Sequence, residues 1–178
     1  MAAMNSWEAA AYQQSQQYGA YADSQNVLFY QGVYSTERYD MMSILVSIQG
    51  RPNPQVNLGP VDLSCAMILC DLTQPDQPIV YANDAFCFMT GYTAEEVKGR
   101  NCRFLQAPGG RVRPKSVRTG VDERAIRKMR KAVDKRAEIS LEVLNFKKNG
   151  QSFINILTMI PVKVEGKWHC VGFQCEKE

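Results

Sequence analysis

Apolar and polar positions alternate with two different periods along this chain, and the switches between them outline its elements. Val61 to Leu72 is largely apolar, Gln74 to Gln77 carries turn residues, and Pro78 to Ala82 is apolar again, which predicts a strand, a turn and a short second strand. Asn83 is placed to cap a helix running through Met89 and ended by Gly91. Thr93 and Glu96 have the spacing of a capping box for a second short helix closed by Gly99. Asp122 caps the longest predicted helix, in which Ile126, Met129 and Val133 recur at i, i+3 and i+7 while Arg124, Arg127, Lys128 and Lys131 cover the other faces. The two-residue period returns in Ala137 to Phe146, Gln151 to Val162 and Trp168 to Cys175, joined at Lys148-Asn149-Gly150 and at Glu165-Gly166. Two strands, short helices, a long helix and three antiparallel strands predict an α+β domain, a five-stranded antiparallel sheet with helices on one face.

Upstream the pattern weakens. Asp40 to Gln49 packs Met41, Met42, Ile44, Leu45, Val46 and Ile48 into one short run, a buried helix or strand that periodicity does not separate, and Pro52 and Pro54 enforce an extended connector after it. Residues 1–36 hold six Gln and five Tyr but no Lys or Arg, the composition of a weakly structured arm. The expected organisation is an arm over 1–37, a cap and hinge over 38–60, and a folded domain over 61–178.

At 178 residues with 45% hydrophobic content, one globular core is expected. No apolar run approaches the length of a membrane helix, and the first residues lack the basic start and apolar block of a secretory signal, so an intracellular, soluble protein is expected. The net charge of +3 is uneven: Lys98 to Arg136 contains 14 Lys or Arg against Asp122, Glu123 and Asp134, a local balance of 14 − 3 = +11. Such a segment suits a polyanion, either nucleic acid or the phosphates of one nucleotide, or it is a solvated helix face. The loop from Ala107 to Gly120 exceeds what a compact domain needs for a connection, which points to a function for it.

Six cysteines, Cys65, Cys70, Cys87, Cys102, Cys170 and Cys175, show no C-x-x-C pair, so a metal site is not expected. Cys102 stands apart because an amide and a guanidinium flank it. A hydrolytic cysteine needs a base, and the only histidine, His169, reads as a surface or edge residue beside Trp168. Neither a dinucleotide fingerprint nor a P-loop is present.

Two amides lie on the wrong face of the predicted hairpin. Asn145 continues the phase of Leu141 and Val143, and Asn155 shares the phase of Phe153, Leu157 and Met159. A three-residue loop with Gly150 left-handed pairs 145 with 153 and puts both amides on one face, whereas a two-residue turn separates them. A buried amide without a partner costs about 1–3 kcal/mol. Two in phase, with Gln174 as a third, point to a planar ligand with donors and acceptors along one edge, such as a flavin or another heteroaromatic ring.

GRNCRFLQ (99–106) closely resembles the signature of LOV domains, the flavin-binding blue-light sensors within the PAS fold. RPNPQVNLGPVD, ILCDL, IVYA, NFKKNG, LTMIPV and GFQCE, with the long loop after GRNCRFLQ, resemble the fungal short LOV proteins of the Vivid type from about Arg38 onward. The resemblance implies that Cys102 bonds to flavin C4a after blue light while N5 gains a proton. It implies that Asn101 and Gln106 face the ribityl and phosphate side, that Arg103 and Arg130 pair with phosphate, and that Asn145 and Asn155 meet the pyrimidine edge. Gln174 would lie near N5, and Ile68, Ile79, Met129, Leu157 and Met159 would form apolar walls. The loop would admit the adenine of FAD, with Arg111, Arg113, Lys115 and Arg118 assisting a second phosphate; FAD is favoured and FMN is the alternative. The expected output is a light-dependent homodimer formed through the cap, with Gln174 and Cys65 signalling, and photoadaptation through PAS and LOV proteins of the White Collar type. No enzyme activity, no membrane contact, no direct nucleic-acid binding, and a cytoplasmic and nuclear location are expected. The alternative is a PAS-fold interaction or redox-sensing module without photochemistry. The arm, a shorter turn over 164–167, and Cys87 and Cys170 depart from the Vivid pattern, and Cys87 is either a redox-active thiol or an inert packed one.

Overall fold

The structure, a computed structural model, describes residues 39–59 and 61–177; the predicted arm lies outside them. Five strands, β1 (Ala66–Asp71), β2 (Ile79–Ala82), β3 (Ile139–Phe146), β4 (Ser152–Val164) and β5 (Lys167–Glu176), form one antiparallel sheet in the order β2-β1-β5-β4-β3. The chain-terminal strand therefore lies at the centre. Four α-helices are described: α1 (Met41–Gln49), α2 (Asp84–Thr90), α3 (Ala94–Val97) and α4 (Glu123–Lys135).

The local signals act where the sequence places them. Asn83 caps α2 by accepting from the Phe86 amide, Gly91 ends it at φ 78, and Thr93 and Glu96 close a reciprocal capping box on α3. The Asp122 side chain accepts from the Arg124 amide at the start of α4. The β3–β4 connection is the three-residue loop, with Gly150 at φ 88 and Asn145 opposite Phe153. Glu165 and Gly166, both at positive φ, make the two-residue turn between β4 and β5.

Three expectations need correction. The first strand begins at Ala66, five residues later than the apolar run, because Asp62 accepts from the Ser64 amide and hydroxyl and holds the chain in a turn. β4 and β5 are longer than predicted, since their tight turn lets pairing continue to Val164 and Lys167. His169 is neither at the surface nor at an edge: it is 3% exposed on the central strand, with Tyr39 packed edge-on against its ring.

Two cores result, one on each face of the sheet, where a single core was expected, because α1 covers the face that the other helices leave open. On one, α1 lays Met41, Ile44, Leu45 and Ile48 against Met67, Leu69, Ile160, Val162, Val171 and Phe173. On the other, the short helices pack Phe86, Tyr92, Val97, Phe104 and Leu105 against Ile68 and Ile79. Alternation along β1 serves both at once, which is why every residue of that strand is buried. The run at 41–49 is thus a helix, begun by Asp40 accepting from the Ser43 amide.

Behind α1 the chain is tied down by one acidic side chain. Glu138, just ahead of β3, accepts from Arg51 Nε at 2.6 Å and from the backbone amides of Gln55 and Val56 at 2.9 Å each. Arg51 in turn donates to the carbonyls of Ile48 and Val56. The end of α1 and the proline connector are thereby fixed to the β3 edge of the sheet.

Candidate functional site

Between the sheet, α4 and the turn carrying Cys102 lies a cavity of about 330 Å³, within the range of small-molecule and cofactor sites. Its floor comes from alternate residues of the strands: Ile68 and Cys70 of β1, Val143 and Asn145 of β3, Asn155, Leu157 and Met159 of β4, and Cys170, Gly172 and Gln174 of β5. One side is α4, through Ile126, Met129 and Val133. The other is a 3₁₀ turn, Cys102–Gln106, opened by Asn101 accepting from the Arg103 amide. Gly172 keeps the floor low, because a Cβ there would stand 3.2 Å from Ile68 Cγ1.

The amides form a relay. Asn155 Nδ2 donates to Asn145 Oδ1 at 2.9 Å and to Gln174 Oε1 at 3.0 Å, and Asn145 Nδ2 donates to the Leu144 carbonyl. Among the described residues, the buried side-chain polar atoms without a partner are Gln106 Oε1, Arg118 Nε, Asn155 Oδ1 and Gln174 Nε2. All four belong to residues lining the cavity. Two donors and two acceptors left bare at one site fit a ligand with both kinds of group, since unpaired buried polar atoms are otherwise rare.

Arg103, Arg118 and Arg130 converge on the same cavity. Burial, and repulsion from Arg103 and Arg130, pull Arg118 below the ordinary guanidinium range, the response of a cation crowded by cations. Arg103 is partly neutralised by an ion pair with Asp76. An anionic group at this end would relieve the repulsion, and fork-shaped guanidinium donors suit phosphate.

Of the residues singled out in the sequence, Cys102, Asn101, Arg103, Gln106, Arg118, Arg130, Asn145, Asn155, Gln174, Ile68, Met129, Leu157 and Met159 line the cavity together. Ile79 does not: it is 1% exposed and packs in the core beneath α2 and α3, because the β2 edge lies beyond the cavity. Asn101 lines the cavity but commits its amide to the Asp76 carbonyl and its oxygen to the Arg103 amide. Arg111, Arg113 and Lys115 are exposed and outside the lining, and of that basic loop only Arg118 reaches in. Cys65 stands on the other side of the sheet against the α1 core. Cys87 is partly exposed on α2, where burial, Asp84 and Glu95 raise its pKa, the direction that opposes thiolate chemistry.

Sequence reasoning missed Cys70 and Cys170, although the signal was present. Cys70 shares the phase of Ile68, and Cys170 that of Gly172 and Gln174. Ile126, Val133 and Val143 follow in the same way from Met129 and Asn145.

A PAS domain family model matches residues 64–174, most of the described chain. The chain is 44% identical over 149 residues to the blue light receptor lreA of Aspergillus flavus, covering 83% of this chain and 17% of that protein. It is 40% identical over 146 residues to the White collar 1 protein of Neurospora crassa, covering 81% of this chain and 12% of that protein. It therefore spans less than a fifth of the length of either relative. The light-state dimer structure of the fungal blue-light photoreceptor Vivid superposes with a TM-score of 0.76 at 60% identity, over 81% of this chain and 99% of that one. Membership follows from shared sequence, a shared fold and a cavity lined by the residues of the signature: the chain belongs to the LOV blue-light photoreceptors of the fungal Vivid type, within the PAS fold.

Proposed function

We propose that this protein is a blue-light receptor that holds a flavin, FAD in preference to FMN, in the cavity and reports illumination by dimerising. The observation that carries the reading is the set of four bare polar atoms around an apolar cavity that also presents Cys102. Asn145, Asn155 and Gln174 would hold the polar edge of the ring system, Ile68, Leu157 and Met159 one face and Met129 the other, and Arg118 and Arg130 the phosphate end. When bound, the flavin would supply in blue light an electrophilic ring carbon for the Cys102 thiol, so no histidine base would be needed.

The chain's own response starts at Gln174. Gln174 lines the cavity and its Nε2 has no partner, so a ring acceptor beside it that became a donor in light would turn the amide to present its oxygen. Rotation sets Gln174 Nε2 against Asn155 Nδ2, two donors, and Asn155 must turn its own bare oxygen toward it. Gln174 pairs with Ala66, next to Cys65, and its neighbour Phe173 is in the α1 core on the other face. One exchange of this kind is worth about 1–3 kcal/mol, roughly 5- to 150-fold in an equilibrium, enough to bias the docking of the cap but not to reverse it outright.

The cap also offers a surface for a second copy. Met42 and Val46, one turn apart on α1, are 47% and 64% exposed, and Ile154 and Ile156, in phase with Ile160 of the α1 core, are exposed on the same face of the sheet. The output we infer is receptor rather than enzyme: photoadaptation of transcription in cytoplasm and nucleus, through this homodimer and through LOV-bearing partners of the White Collar type.

The test is the absorption spectrum of the purified protein in darkness, after a blue flash and during recovery. A flavin band should bleach reversibly in the native chain and stay unbleached in Cys102→Ala; a colourless or light-indifferent native protein refutes the reading. Gln174→Leu should still bleach but lose most light-dependent dimerisation in size-exclusion chromatography with light scattering. Normal dimerisation of that variant removes the proposed coupling.

A further inference from the structure

The cavity holds a second thiol that the light reaction does not use. Cys70 Sγ lies 3.2 Å from Cys102 Sγ, although the residues come from different elements 32 positions apart. Cys70 sits at an irregularity in the β1–β2 pairing: Leu69 pairs with Tyr81 and Cys70 with Ile79, leaving Val80 as an extra residue. Bulges of this kind re-aim neighbouring side chains and are common beside functional sites. A disulfide has S–S of about 2.05 Å, so the two sulfurs need approach by only about 1 Å.

The two thiols differ in access. Cys102 is partly exposed at the head of its turn, while Cys70 is 8% exposed within the sheet. Its hydrogen bond with Cys102, burial, and the proximity of Cys102 and Cys170 hold Cys70 well above the ordinary thiol range. An oxidant entering the cavity therefore meets Cys102 first, and a protonated Cys70 waits behind it. Cys170 lies opposite Cys70 in the β1–β5 register, and burial above all, with a further push from Cys102, moves it up to about 12.

We propose that Cys70 and Cys102 form a reversible disulfide pair, closed by a hydroperoxide, that withdraws from the site the thiol needed for the light reaction. Cys102 sulfur attacks the peroxide, the O–O bond breaks, and Cys102 becomes a sulfenic acid, oxidised by two electrons, as the peroxide is reduced to water or an alcohol. Cys70 sulfur then attacks Cys102 sulfur, the S–O bond breaks, and hydroxide leaves with the Cys70 proton as water. Two thiols and one hydroperoxide thus give one disulfide, one water and one water or alcohol. A dithiol reverses the link by exchange and is itself oxidised to a disulfide. The formation of the bond depends only on the two cysteines; its consequence for light sensing rests on the function proposed above.

The test uses the full chain in darkness with hydrogen peroxide, followed by alkylation of free thiols without reductant and peptide mass mapping. The Cys70 and Cys102 peptides should appear joined, lighter by two hydrogens than the reduced pair and separable by dithiothreitol. Flash bleaching should fall in proportion to the joined fraction and return completely on reduction. In Cys70→Ser the joined species should be missing, Cys102 should advance to sulfinic acid, and lost bleaching should not return. A native chain in which Cys102 passes to sulfinic acid unlinked, pairs with Cys170, or links only between molecules overturns the proposal. Failure of the untreated, reduced protein to bleach counts against the photoreceptor reading alone, because the mass map decides the disulfide without light.

Discussion

Removing Glu138 should loosen the cap without unfolding the sheet. The Arg51 and Glu138 side chains are 14% and 11% exposed, so Glu138→Ala leaves a mostly buried guanidinium uncompensated and two backbone amides of the connector without their acceptor. Breaking a buried pair from one side costs about 3–5 kcal/mol, and the lower figure applies because a displaced connector lets Arg51 reach water. Opposing it, burial of Met41, Ile44, Leu45 and Ile48 on the sheet contributes about 1.5–3 kcal/mol each before the ordering entropy of the segment is subtracted. The cap should therefore remain mostly docked but open roughly 100-fold more often, taking about 3 kcal/mol at 1.4 kcal/mol per decade. Amide hydrogen exchange reads this directly: protection of α1 should fall by roughly that factor, while the β5 amides, which need global unfolding to exchange, keep theirs. Replacing both Arg51 and Glu138 by Met should recover much of the loss, since no charge is then stranded. Equal loss of protection in α1 and β5, or a change in α1 below about threefold, refutes the assignment of Glu138 as the tie.

Acid should weaken the fold at Asp71, at the end of β1. Burial opposes ionisation of Asp71, but bonds from the Thr73 hydroxyl, Gln74 and the Thr73 amide, with His169 nearby, outweigh it and bring the pKa to about 2. The folded value lies below the unfolded one, so this stabilisation is complete above about pH 4 and disappears as pH falls toward 2. Asp71→Asn should flatten urea-derived stability across that window, and an unchanged acid slope would dismiss the attribution. Gly172→Ala should press Ile68 aside and weaken flavin retention, costing about 1–3 kcal/mol of stability through overpacking. Gel filtration followed by the flavin-to-protein absorbance ratio checks it, a full complement of flavin being the contrary result.

Legibility in the sequence followed the range of the forces involved. Caps, turns and periods act over a few residues, so Asn83, Thr93, Glu96, Asp122 and Gly150 declared the ends of their elements without any tertiary help. The phase of Asn145 and of Asn155 within its own strand is local as well, but that the two share one sheet face waited on the three-residue loop with Gly150 left-handed. Strand ends were less legible: the apolar run from Val61 gave no sign that Asp62 would turn the chain until Ala66.

What the chain alone determined was most of the list of elements, the phase of each amide within its strand and, through the signature around Cys102, the family. The tertiary structure decided everything that depends on which residues meet across long separations. It placed β5 at the sheet centre, buried His169 beneath Tyr39, and drew Ile79 out of the cavity into the core. Glu138 met Arg51 across 87 positions, and Cys70 met Cys102 across 32. No periodicity encodes such meetings, because they follow from strand order and pairing register, which are set by the collective burial of two cores rather than by any one segment.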